Sequence, residues 1–153
     1  MQRLVLYFMR AQLLARTYDV KDLQTIVDRI QADQLLIPDM FEIDLDDALD
    51  LRDDPSFETP WLAAYKKLPD AEIPEDLRPP HQEVRKAAFL KTMQLTKSPE
   101  LAGYISDDFG LIASSLVLDI ADEWVNALWK EYDTGKFPAG ELVPVPGRLQ
   151  DLN

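Results

Sequence analysis

The chain has 153 residues, no cysteine, 46% hydrophobic side chains and a formal net charge of −12. That length suits one domain with its own core, and the missing cysteine excludes disulfides, iron–sulfur clusters, thiolate zinc sites and cysteine nucleophiles. Nucleic acid and anionic membrane surfaces both select a basic face, so the charge argues against either as a partner.

The apolar run Leu4–Met9 ends after six residues at Arg10, short of the about 7–15 of a signal-peptide core. No stretch approaches the roughly 20 apolar residues of a membrane span. These features lead to the expectation of a cytoplasmic protein.

Residues 3–16 are predicted helical, with Leu4, Phe8, Ala11 and Ala15 at helical spacing. Thr17 or Asp19 can cap a second helix over 19–33, whose inward face is Val20, Leu23, Ile26, Val27 and Ile30. The run Leu35–Ile37 stops at Pro38. Residues 40–54, MFEIDLDDALDLRDD, hold six aspartates, one glutamate and one arginine. Phe41, Ile43 and Leu45 alternate like a strand, whereas Leu45, Ala48 and Leu49 fit a helix face. The reading adopted is an extended entry and a short helix near 44–53.

Ser56 or Thr59 can cap the next helix, to about Leu68, with Pro60 in its first turn. Its buried side would be Trp61, Leu62, Tyr65 and Leu68. Residues 69–80 carry four of the eleven prolines and read as a loop. A helix then starts at Pro79–Pro80 and runs to about Thr96, and Ser98–Pro99 open a short piece through Tyr104. The strongest pattern begins at Ser106–Asp107–Asp108 and reaches Asp133, with the stripe Phe109, Ala113, Leu116, Ile120, Trp124 and Leu128. Its polar face is Asp119, Asp122, Glu123, Asn126, Lys130 and Asp133, with Gly135 as C-cap. Unbroken, it would be roughly 40 Å long, so a kink near Gly110–Ser115 is expected. The tail GELVPVPGRLQDLN reads as extended. The fold class is therefore all-α: a single-domain helical bundle (1–153) of about six helices, with Pro-rich connections and an extended C-terminal tail from residue 135.

Several chemistries fail on residue type and spacing. An EF-hand loop started at Asp44 meets Ala48 and Leu49 at its fifth and sixth positions, where an acid and a glycine are needed. There is no G-x-G-x-x-G or P-loop. The single histidine, His81, would have to serve any Ser–His–Asp triad, yet Ser114 and Ser115 lie mid-helix, so a capping or surface histidine is the simpler reading. Trp61, Trp124 and Trp129 sit at spacings typical of core.

Charge is concentrated in two blocks: residues 39–58 hold nine acidic side chains and one basic, and residues 106–153 hold nine and three. If 44–54 is helical, Asp44/Asp47, Asp47/Asp50, Asp50/Asp53, Asp46/Asp50 and Asp50/Asp54 repel at helical neighbour spacing, at about 0.2–0.5 kcal/mol each. Arg52 has no acid three or four residues away to relieve them. Screening, internal cations, a bound cation or a partner must offset this.

The expected function is a non-catalytic, acidic protein-interaction module. One concrete form is an inhibitor or immunity-type protein that neutralises a basic partner such as a nuclease. The partner-binding residues would be Glu42, Asp44, Asp46, Asp47, Asp50, Asp53 and Asp54, with no cofactor. The alternative is a Mg²⁺-dependent all-helical phosphohydrolase using Asp47, Asp50, Asp119, Asp122 and Glu123.

Overall fold

A computed structural model describes residues 22–69 and 73–152. The helix expected over 3–16 lies outside them. Among the described residues there are six α-helices and no strand: α1 (22–31), α2 (Leu45–Asp53), α3 (Pro55–Lys67), α4 (Arg78–Thr96), α5 (Pro99–Val117) and α6 (Glu123–Asp133). Short 3-10 turns lie at Pro38–Phe41, Glu75–Leu77 and Leu149–Asp151.

α5 is the central helix. Ile105 and every residue from Phe109 to Val117 are buried, so it is apolar nearly all round, as a helix covered on several sides must be. α4 forms the largest helix pairing with it. Gly110 allows the close approach, because a Cβ there would lie 3.1 Å from Cδ of Arg85 on α4. α1 adds the buried stripe Leu23, Ile26, Val27 and Ile30, four of the five residues the sequence pattern named; Val20 lies outside the described residues.

The long C-terminal helix of the sequence reading is two helices. α5 begins at Pro99, capped by Ser98, whose Oγ accepts from the Leu101 N–H at 3.2 Å. Ser106 and Asp107, either of which could have capped a helix starting there, therefore lie inside α5, with Ser106 and Asp108 buried and Asp107 exposed. The break falls at 118–122, not at Gly110–Ser115. Asp119 is left-handed at φ 51, and the Ile120 N–H turns back to the Ser115 carbonyl at 2.9 Å, the geometry of a Schellman stop. Asp tolerates this conformation better than most side chains. Asp122 then caps α6 through the Trp124 and Val125 N–H groups at 2.9 and 3.1 Å.

Two residues assigned to the solvated face belong to the interior. Asp122 and Asn126 are buried. Asn126 Nδ2 donates to the carbonyls of Val145 (2.9 Å) and Gly147 (2.7 Å), and the Val145 N–H reaches Glu123 O at 3.0 Å. These bonds dock the extended tail, whose Leu142 and Leu149 enter the core.

Candidate functional site

α2 and α3 carry the acidic block. Asp44 caps α2, accepting from the Asp46 and Asp47 N–H groups at 3.0 and 3.1 Å. Asp54, not Ser56 or Thr59, caps α3, accepting from Ser56 N (2.9 Å) and Ser56 Oγ (2.6 Å). The Ser56 bonds hold the Asp54 carboxyl below its ordinary range. Two of the five repulsive pairs thus involve carboxylates that serve as caps. Asp46 and Asp47 also occupy the first turn of α2, where the helix dipole favours negative charge. Pro55 takes the N1 position of α3, which leaves Pro60 inside the helix.

Glu42, Asp44, Asp46, Asp47, Asp50, Asp53 and Asp54 are all exposed. Among the described residues, none of the seven forms an ion pair. The only basic residue within the block points the other way. Arg52 is 6% exposed and makes two hydrogen bonds to Asp108 on α5, Nη1 to Oδ2 at 2.8 Å and Nη2 to Oδ1 at 2.6 Å. Trp61 Nε1 donates to the same carboxylate at 2.9 Å and the Tyr132 hydroxyl at 2.5 Å. Asp108 therefore collects donors from α2, α3 and α6 at one point of α5.

The guanidinium also lies 4.2 Å from the Phe57 ring centroid and 5.9 Å from that of Tyr104. Burial acts against its charge, but the Asp108 carboxylate outweighs burial, and Arg52 titrates above its ordinary range. Burial and Asp108 hold the Tyr132 hydroxyl protonated, so it remains a donor. A bidentate pair of this kind fixes the orientation of α2 on the core more than it adds net stability.

The inward turn of Arg52 leaves the outward face of α2 and the start of α3 without a cation of its own. Beside it opens a cleft of about 170 Å³, lined by Asp53, Phe57, Glu58, Trp61, Leu62, Tyr104, Asp107 and the Arg52–Asp108 pair. Trp61 stacks on Tyr65 at 5.7 Å and 13°. Leu62 and Tyr65, expected on the buried side of α3, are exposed, as is Leu51 of α2; Phe57 and Ala64 are the buried residues of α3. Trp61, expected in the core, is a wall of the cleft; Trp129 is buried, and Trp124 packs edge-on against Phe57 at 5.3 Å. The sequence contained a signal for this site: an arginine with no acid three or four residues away inside an acidic run, and the pair Asp107–Asp108 leading into the apolar run 109–117. Only the fold pairs them.

The other candidate residues lie apart from this site. His81 Nε2 is 2.9 Å from Ser114 Oγ and 3.3 Å from the Gly110 carbonyl, tying the start of α4 to α5. Burial, and secondarily the Arg85 guanidinium, hold its imidazole below the usual range. Asp119 bonds Arg148 (2.7 Å) and Gln150 (3.1 Å), and Asp122 bonds Lys67 at 3.0 Å besides its capping role. Among the described residues no group of three or more His, Cys, Asp or Glu side chains converges as a metal-ligand set. No described helix is long and apolar enough to cross a membrane.

The family model described as immunity protein PIM1 matches residues 25–139, which include α2 to α6 and the whole cleft. Among curated proteins, none matches the chain.

Proposed function

The chain belongs to the immunity protein PIM1 family, and we propose that it neutralises a basic toxin by docking it on the acidic face of α2 and the start of α3. The contact residues would be Glu42, Asp44, Asp46, Asp47, Asp50, Asp53 and Asp54. The observation that carries the proposal is the division of charge within the block: its carboxylates face outward and its one arginine is consumed by Asp108. Crowded like charges on a short helix persist more easily where a partner of opposite sign removes the repulsion. The exposed Leu51, Leu62 and Tyr65 supply the apolar component that stable interfaces add to charge. In this proposal the protein acts by binding, and its place of action is the cytoplasm.

The test has two stages. Capture from the native cell at low salt, with elution by a salt step, supplies the toxin. Its association rate is then measured across ionic strength with the wild type and with the triple variant Asp46→Asn/Asp47→Asn/Asp50→Asn. Charge-steered association reaches about 10⁸–10⁹ M⁻¹s⁻¹ at low salt, against about 10⁵–10⁶ without steering. The variant should bind at least tenfold more slowly at low salt and converge with the wild type at high salt. A rate unaffected by both salt and substitution would refute electrostatic docking at this face.

A further inference from the structure

The cleft between α2, α3 and α5 differs chemically from the acidic face beside it. Its walls include three aromatic rings, Phe57, Trp61 and Tyr104, and the aliphatic side chain of Leu62. Its lining holds four carboxylates and one cation. Arg52 is matched by Asp108 inside the wall, and Asp107 is bridged by Arg85 at 2.6 Å. Asp53 receives only the Tyr104 hydroxyl, at 2.9 Å, and Glu58 has no ion-pair partner among the described residues. The cleft therefore retains two uncompensated carboxylates against aromatic walls. Two of those rings already accept a guanidinium from within the chain, Arg52 over Phe57 and Tyr104.

A planar cation that stacks on rings and forks two hydrogen bonds to a carboxylate suits these walls better than a compact ammonium. We propose that the cleft receives one arginine side chain of the docked partner, with its guanidinium between the aromatic walls and the carboxylates of Asp53 and Glu58. The claim deepens the docking proposal and rests on it. It adds an arginine anchor against aromatic walls, a residue type enriched among the contacts that dominate binding energy at interfaces.

The test needs no toxin. N-acetyl-arginine amide, N-acetyl-lysine amide and N-acetyl-citrulline amide are titrated into ¹⁵N-labelled protein while the Trp61 indole N–H signal is followed. That group lines the cleft and bonds Asp108, whereas the other two tryptophans do not line it. The arginine probe should shift the signal saturably, with citrulline at least tenfold weaker and lysine weaker than arginine. Glu58→Gln, an exposed position, should weaken arginine binding at least threefold. Equal responses to arginine and citrulline, lysine binding as tightly as arginine, or indifference to Glu58→Gln would each overturn the proposal. Asp46, Asp47 and Asp50 lie outside the cleft. A toxin whose association responds to the Asp46/Asp47/Asp50 variant but not to Glu58→Gln would overturn the anchor and leave the docking face intact. Indifference to both would overturn the docking face and the anchor together, whereas a response to Glu58→Gln but not to the Asp46/Asp47/Asp50 variant would overturn the docking face alone.

Discussion

Replacing Arg52 with methionine removes the charge and the two hydrogen bonds while keeping an unbranched apolar stem against Phe57. Asp108 is 0% exposed, so the variant leaves a carboxylate in the interior with only the Trp61 and Tyr132 donors. Breaking one side of a buried pair costs about 3–5 kcal/mol, because the remaining charge loses its partner without regaining water. For a domain of this size that corresponds to a fall in Tm of about 6–20 °C. Asp108→Asn should cost a similar amount by stranding Arg52, and it leaves one oxygen where four donors had shared two. The double variant Arg52→Met/Asp108→Asn buries no charge, and the asparagine carbonyl still accepts from Trp61 or Tyr132. It should therefore be more stable than the sum of the single losses implies, by a coupling of about 2–3 kcal/mol. Urea unfolding at neutral pH of the four proteins of this cycle measures that number. Single losses under about 1 kcal/mol, or additivity within about 0.5 kcal/mol, would refute the assignment of Arg52 and Asp108 as the pin that holds α2 to α5.

Asp44→Ala should cost about 1 kcal/mol by freeing the Asp46 and Asp47 N–H groups, whereas Asp44→Asn should cost little; thermal melts compare them. Asp54 has its folded pKa lowered from 3.8 by the Ser56 bonds, so its contribution is complete above that value and is lost as pH falls through the lower folded value. Asp54→Asn, which keeps the cap, should flatten that part of the acid-unfolding curve. His81 has its folded pKa lowered from 6.5, so the unfolded state takes up the proton first and stability falls as pH drops below about 6.5. His81→Gln should remove this dependence between neutral pH and the folded value, as read by denaturation at several pH values. Asn126→Ala should cost about 1–3 kcal/mol by orphaning the Val145 and Gly147 carbonyls, and it should speed proteolysis within 140–152.

Local pattern was enough to identify the helical class. The stripe of α1 repeats at helical spacing, as do Val84, Ala88 and Thr92, the buried residues of α4; Arg78–Thr96 begins beside the Pro79–Pro80 pair, and Leu45–Asp53 emerged from a segment whose strand and helix periods competed. In the last case the Asp44 cap and the dipole decided for helix, and both are local effects. The same reasoning failed between 106 and 133. The apolar stripe continues across 118–122, so periodicity alone gives no reason to stop. The stop comes from a left-handed Asp119, the Asp122 cap and the fit of α6 beside α5, with the tail held on Asn126.

The sequence by itself determined that residues 39–58 are an acidic block and that Arg52 lacks a partner on its own helix, because charge and helical spacing are properties of neighbours. Only the tertiary structure decided what that arginine does. Its partner lies 56 residues away on another helix, and Trp61 and Tyr132 reach the same carboxylate from two more. A burial site for a charge exists only where several elements together replace the water it loses, and no single segment encodes that enclosure.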